Sequence, residues 1–301
     1  MEHKVMMKAP IRYYGGKTYQ AAWILDVIKR YQFKTYIEPF GGSGAILFAK
    51  EPSPVEIYND VFSDLVTLYR VLRNPKTHKD LITFLENSPY SREMFGESKE
   101  ALADKKLSTV ERAGHFFIAV RQSFSGLRSS WSSAGKVGKG KATSYRHAID
   151  WLPEIHERLR HVHIEQKDAV ECIQLYATPK SLIYCDPPYV LGTRVAPVAY
   201  KHEYTDEQHE QLIETLLTVP GHKILSGYQS SLYKPLLDAG WTLLKKEFAC
   251  HASPGKKGRR IECLYCSPTG NAGTGTMTQP INHALFKEIN HAQNKRKSET
   301  R

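Results

Sequence analysis

Residues 35–49 read TYIEPFGGSGAILFA. Thr35, Tyr36 and Ile37 are β-branched or aromatic and fit the pleated surface of a strand. A glycine-rich turn, EPFGGSG from Glu38 to Gly44, follows, and then an apolar helix start from Ala45 to Ala49. Glycine lets the chain turn tightly and lets a ligand approach the backbone closely. Strand, glycine loop and helix in that order open a nucleotide-type α/β sheet. The dinucleotide fingerprint G-x-G-x-x-G is not completed, because Leu47 stands where the third glycine belongs. No pyrophosphate clamp is signalled.

The rhythm continues outward. Val55 to Tyr58 reads as a second strand, and Asn59-Asp60 stands at its end, where an acid accepts hydrogen bonds from ribose hydroxyls. Ser63 is placed to cap the helix DLVTLYRVLR, whose apolar face carries Leu65, Leu68, Tyr69 and Leu72. Strands follow at His161 to Glu165, 181–185, Lys223 to Leu225, 241–248 and 261–266, with helices at Ala169 to Tyr176, Asp206 to Thr218 and 231–239. Alternating strands and helices predict a mostly parallel, doubly wound, Rossmann-like α/β sheet. A lone glycine loop is most often an ordinary turn. Loop, acid and strand order together point to a cofactor with adenosine but no phosphates, and S-adenosylmethionine is one.

CDPPY, residues 185–189, ends the apolar run Ser181-Leu182-Ile183-Tyr184. Two prolines cannot continue a ladder, since each lacks a backbone N–H, and each pushes its predecessor into an extended conformation. The strand is expected to end at Cys185, with a stiff loop carrying Asp186 and Tyr189 at the carboxyl edge, where open α/β sheets place ligands.

The 301 residues are 41% hydrophobic, enough for one large domain or a domain with an insertion. Lys and Arg number 42 against 31 Asp and Glu, a formal +11 that favours a polyanionic partner. Five scattered cysteines and no secretory-type start read as a reduced, cytoplasmic protein. No apolar run approaches the roughly 20 residues of a membrane span, so no membrane partner is expected. No obligate protein partner is evident.

Residues 66–149 break the rhythm and read as an insertion between sheet elements, helical to about Arg121 and then polar and rich in Gly and Ser. The division is therefore 1–65 with 150–267 as the sheet domain, 66–149 inserted, and a tail from 268 that reads as disordered. Between Arg112 and Ile149 there is no acid, while Arg121, Arg128, Lys136, Lys139, Lys141 and Arg146 stand among Phe124, Trp131 and Tyr145. Basic groups neutralise phosphates and aromatics stack or wedge, so this stretch reads as nucleic-acid-binding, against the plain alternative of a solvated loop. HASPGKKGRR at 251–260 is a second basic loop. Gly135, Gly140 and Lys141 begin a P-loop pattern, but Ala142 replaces its Ser or Thr and no buried strand precedes it. Cys263 and Cys266 sit three apart on a strand, so their thiols diverge, and no H-E-x-x-H cluster appears, so no metal is expected.

Four motifs stand in order: Tyr13-Tyr-Gly-Gly-Lys17, EPFGGSG, YND at 58–60 and CDPPY, with a basic segment before the last. Over roughly residues 8–267 this resembles the Dam-type, alpha-ordered DNA adenine-N6 methyltransferases. The resemblance implies a methyltransferase sheet with an inserted helical or hairpin target-recognition region, acting on double-stranded DNA. It implies that Tyr13, Lys17, Glu38, Pro39, Phe40, Gly41, Gly42, Ser43, Gly44, Asp60, Asp168 and Asp186 bind S-adenosylmethionine, with Asp168 beside the adenine. AVRQSFSGL departs from the family's Asn-x-x-x-Asn-Gly pattern at Arg121, Ser125 and Gly126, which leaves the target sequence open. In DPPY, Asp186 and the Pro187 carbonyl would accept the N–H bonds of an exocyclic adenine amine and aim its lone pair. Pro188 stiffens the loop, and Tyr189 would stack on a flipped-out base. Similar loops serve cytosine-N4, RNA and protein-glutamine methylation. A DNA-binding protein with a degenerate core is the reading from another class, and intact Asp60, Asp186 and Tyr189 argue against it.

Overall fold

The computed structural model describes residues 7–12, 15–133, 140–191, 203–249 and 259–269. Tyr13, Lys136, Lys139, Gly135, most of the second basic loop and the tail from 270 lie outside them.

Strands β1 (Thr35–Glu38), β2 (Val55–Asn59), β3 (Val162–Glu165), β4 (Ser181–Cys185), β5 (His222–Gly227), β6 (Thr242–Ala249) and β7 (Arg259–Cys266) form one sheet in the order 3-2-1-4-5-7-6. The first five are parallel, and β7 runs antiparallel to both β5 and β6. The expected mostly parallel α/β sheet is what forms. From β1 the chain moves to β2 on one side, and β4 takes the other side. That reversal opens a crevice at the carboxyl ends of β1 and β4.

Side chains alternate across a strand, and here the alternation divides two cores. Tyr36, Tyr58, Leu182, Tyr184, Ile224 and Leu264 belong to one cluster. Ile37, Ile57, Ile183, Cys185, Leu225 and Tyr265 belong to the other. Cys263 and Cys266 fall on opposite sides, as their spacing requires.

The helices are α1 (Ala21–Ile28), α2 (Ala45–Ala49), α3 (Ser63–Arg73), α4 (Thr77–Glu86), α5 (Arg92–Ala101), α6 (Thr109–Arg121), α7 (Lys141–Asp150), α8 (Leu152–Leu159), α9 (Ala169–Tyr176), α10 (Asp206–Thr218) and α11 (Lys234–Asp238). Among the described residues, the crossover between β2 and β3 thus carries six α-helices. Phe116, Phe117, Leu81 and Leu85 from these helices share the core of Tyr36 and Tyr58. A division at residue 66 falls inside α3. Glu56, buried on β2, is bound by Lys50 at the end of α2 and by Arg158 of α8, whose Nη2 lies 2.9 Å from Oε1.

Three local expectations are corrected. Ser63 is the first residue of α3 rather than its cap, and Phe62 precedes the helix without a side-chain cap. Residues 231–239 form a 3-10 turn, Ser231–Tyr233, before α11, and Ser230 accepts from the Leu232 N–H. Pro235 starts α11 at a position where its missing N–H costs nothing. The polar stretch after Arg121 is not loop throughout, because α7 buries Tyr145 and Ile149, one turn apart.

Candidate active site

At the crevice lies a cleft of about 320 Å³. Every parallel strand from β1 to β4 sends residues into it: Glu38 to Ser43 after β1, Asp60 to Phe62 after β2, Asp168 after β3, and Asp186 with Pro188 after β4. Lys17 enters from the 3-10 turn Lys17–Tyr19.

The glycine loop closes on itself, Gly44 N–H donating to the Gly41 carbonyl at 2.7 Å, and is also held by its neighbours. Tyr58 donates its hydroxyl to the Gly42 carbonyl at 2.6 Å, and Tyr69 donates to the Ser43 carbonyl at 2.7 Å. Asp60 accepts from the N–H of Gly42 at 2.9 Å and of Phe62 at 2.8 Å, so this acid fixes loop geometry at the cleft wall. Gly42 and Gly44 adopt positive φ of 49° and 66°, and Gly44 precedes α2. At Gly41 the demand is space, because a Cβ would stand 2.2 Å from the Tyr58 ring. Asp168 caps α9, accepting from Val170 at 2.8 Å. Phe40 and Tyr204 meet edge to face at 5.4 Å along the cleft.

The DPPY end of the cleft is a buried cluster of unlike charges. Lys17 Nζ lies 2.7 Å from Asp186 Oδ1 and 4.7 Å from the centroid of the Tyr189 ring. Burial pushes the Asp186 carboxyl above the usual range, and Lys17 opposes that shift. Burial drives the Glu38 carboxyl up to about 8, with a contribution from Asp186. Tyr36 donates to Glu38 Oε2 at 3.0 Å. Tyr189 is buried, and its hydroxyl donates to Glu262 Oε2 at 2.7 Å and lies 3.2 Å from Ser226 Oγ. The Cys185 thiol faces the core and burial raises its pKa well above normal, so it is not a thiolate nucleophile.

A model of the D12 class N6 adenine-specific DNA methyltransferase family matches residues 13–246. The chain belongs to that family. It is an adenine-specific DNA methyltransferase. It is 25% identical over 191 residues to the type II methyltransferase M.CviBI of Paramecium bursaria Chlorella virus NC1A, covering 61% of this chain and 69% of that protein. It is 25% identical over 227 residues to the type II methyltransferase M.MjaIII of Methanocaldococcus jannaschii, covering 68% and 78% of the two chains.

In this methyltransferase the basic residues of the insertion are placed unequally. Arg121 turns inward, and its Nη2 donates to the Ser144 carbonyl at 2.9 Å. Burial and the neighbouring Arg12 lower its pKa to about 10. This placement does not fit the expectation that Arg121 projects toward nucleic acid. Arg128 has a positive φ of 58° and lays its guanidinium over Phe62 at 4.9 Å and Phe116 at 5.5 Å. Lys141 is exposed at the start of α7, and the exposed Arg146 donates to the Glu86 carbonyl at 3.1 Å. Tyr145 is buried in the core and unavailable for stacking. Trp131 packs on Tyr90 and Arg92, whereas Phe124 is 54% exposed. Gly126 sits so close to Arg12 that a Cβ would stand 2.4 Å from the Arg12 carbonyl oxygen.

Residues that sequence reasoning missed include Phe62, Tyr184, Tyr204 and Glu262. The first two flank motifs already recognised, Asn59-Asp60 and CDPPY. Tyr204 and Glu262 lie outside any motif and carry no local signal.

Proposed function

We propose that this methyltransferase binds S-adenosylmethionine in the cleft and moves its methyl group to the exocyclic N6 of an adenine flipped out of double-stranded DNA. The chemistry of the cleft fits that cofactor. Among the described residues its lining carries a single cation, Lys17, which is paired with Asp186, so none of them is free to neutralise a pyrophosphate. Aromatic side chains, Phe40, Phe62 and Tyr204, supply an apolar wall for a purine. A carboxylate offers about four acceptor directions, so Asp60 can hold the glycine loop and also accept from ribose hydroxyls. Glu38 is a buried acid whose carboxyl is pushed up to about 8, and a cation bound beside it would favour its ionised form. Bound there, S-adenosylmethionine supplies a methyl group on a positively charged sulfur, which leaves as a neutral thioether when nitrogen attacks.

The protein's own part is positioning. An exocyclic amine is a poor nucleophile because its lone pair is delocalised into the ring. Asp186 and the Pro187 carbonyl accept its two N–H bonds and so draw the lone pair out of conjugation. Asp186, raised by burial, is a better proton acceptor than an exposed aspartate. Lys17 keeps it ionised against that burial. Pro187 and Pro188 hold both acceptors at fixed spacing, which is where effective concentration comes from. Arg128, Lys141 and Arg146, with Lys136 and Lys139 of the neighbouring segment, are assigned to the duplex, while Arg121 ties α6 to α7.

The observation that carries this reading is Asp186 at the end of β4, against the cleft and paired with Lys17. Incubating a defined duplex with the protein and mapping modified bases by single-molecule sequencing tests it. Wild type should modify adenines, and Asp186→Ala and Asp186→Asn should lose several orders of magnitude in rate while still folding. Near-normal rates in both variants would overturn the mechanism, and modified cytosine would overturn the base assignment.

A further inference from the structure

We propose that Glu262, on antiparallel strand β7, is a positioning residue for methyl transfer: it holds the Tyr189 hydroxyl and thereby sets the plane of the ring that walls the base site. The proposal rests on the reading of Tyr189 given above. Glu262 also lies beyond residue 246, where the family match ends, so geometry alone carries it.

The DPPY loop has little backbone to anchor it, since Pro187 and Pro188 lack N–H donors. It is fixed by side chains at its two ends. At one end Lys17 holds Asp186 at 2.7 Å. At the other, Tyr189 donates to Glu262 Oε2 at 2.7 Å, a charge-assisted bond of the stronger kind. Glu262 is 8% exposed and Tyr189 6%, so water competes little. The ring is also met edge-on by Tyr228 at 4.6 Å and 78° and over its face by Lys17 Nζ at 4.7 Å, and the hydroxyl anchor acts with these contacts to fix its plane. A buried carboxylate is a poor choice for stability alone, because well-packed apolar residues usually do as well or better. Its position here makes sense as an acceptor for one hydroxyl.

Glu262 also acts on Asp186 through space. Among the described residues, the titratable groups coupled to Asp186 include Lys17, Glu38, Tyr184, Cys185, Tyr189, Tyr233 and Glu262, and Glu262 is among those that raise its pKa. Replacing Glu262 by glutamine keeps an acceptor for Tyr189 and removes that charge. The acid limb of the pH–rate profile should then move to lower pH.

The experiment compares the full chain with Glu262→Gln, Glu262→Ala, Tyr189→Phe, the double variant Tyr189→Phe/Glu262→Ala, and Asp186→Ala. Methylation of a defined adenine duplex is followed across pH, and S-adenosylhomocysteine binding is followed separately. Glu262→Ala and Tyr189→Phe should each lose about ten- to hundredfold in kcat/KM for DNA, the effect of one unpaired buried partner. The double variant should lose no more than the worse single one. S-adenosylhomocysteine affinity should be unchanged in the Glu262 and Tyr189 variants. Glu262→Gln should recover most of the rate, with its acid limb displaced downward. Wild-type kcat/KM in Glu262→Ala refutes the proposal, as does a Glu262→Gln variant as damaged as Glu262→Ala with its limb unmoved. Parallel loss of melting temperature and cofactor-product affinity in Glu262→Ala refutes it also, since that marks a structural role. If Asp186→Ala stays active, the underlying reading fails instead.

Discussion

Gly41→Ala is a one-methyl test of how the glycine loop is seated. The new Cβ would stand 2.2 Å from Cε2 of Tyr58 and 2.6 Å from Cδ2 and Cζ. The ring cannot step aside. It is fully buried, its hydroxyl is committed to Gly42 at 2.6 Å, and Tyr69 packs against its face and edge at 5.0 Å. Either the backbone at 41 lifts or Tyr58 lets go of Gly42. Overpacking of this kind costs about 1–3 kcal/mol, and the lost hydrogen bond adds about 1 kcal/mol. For a chain of this size the sum lowers Tm by roughly 3–6 °C. Gly96→Ala in α5 is the matched control, because nothing lies within 4 Å of its added methyl. That variant should melt with wild type or slightly above it, by up to about 1 kcal/mol from helix propensity. Scanning calorimetry with and without S-adenosylhomocysteine reads both effects. Gly41→Ala should also show a smaller rise in Tm on adding the ligand, since the displaced loop lines the cleft. If Gly41→Ala melts with wild type and keeps the full ligand shift, the loop is not seated on Tyr58 and the account of the cleft wall is wrong.

Burial pushes the Glu38 carboxyl up to about 8 in the folded protein against 4.5 for an ordinary glutamate, so the folded state keeps a proton that the unfolded state releases between those values. Stability should therefore fall as pH rises through that window, and Glu38→Gln should flatten the slope in denaturant midpoints measured at about pH 5 and pH 8. Cys185→Ala should methylate DNA within a few-fold of wild type, and a dead but folded variant would reinstate a thiol mechanism. Lys141→Ala should reduce the salt slope of DNA binding by about one unit, whereas Arg121→Ala should leave the slope alone and lower Tm by breaking the tie between α6 and α7. An unchanged slope for Lys141→Ala removes it from the interface.

The sheet was readable in the sequence wherever a strand is buried on both faces or alternates cleanly, as in Ser181 to Cys185 and Val55 to Tyr58. Helices α2, α9 and α10 were bounded correctly because a glycine, an Asp cap and a Thr–Gln capping box mark their starts. Helix α7 was hidden because it buries only Tyr145 and Ile149 amid Lys, Ser and Arg, and a two-residue stripe does not stand out from a polar loop. Ser63 misled because Asp60, three residues earlier, organises that turn instead. The motif residues around the cleft were legible because spacing along one strand–loop–helix unit places them. The partners Lys17–Asp186 and Tyr189–Glu262 were not, since tertiary folding joins residues 169 and 73 positions apart.

Among the described residues, the last strand in the chain is not the last in the sheet. β7 slots between β5 and β6, pairing Leu225 with Tyr265 on one side and Leu244 with Leu264 on the other. The stretch that matches the family ends at residue 246, short of β7. A chain cut there would keep every recognised motif yet leave β5 with a bare row of N–H and C=O groups, and β6 with no neighbour. Such an open edge invites pairing with another copy. A gene for this protein trimmed short of Ser267, whose N–H reaches back to the Lys223 carbonyl at 2.9 Å, therefore yields a fragment with an open sheet that favours aggregation.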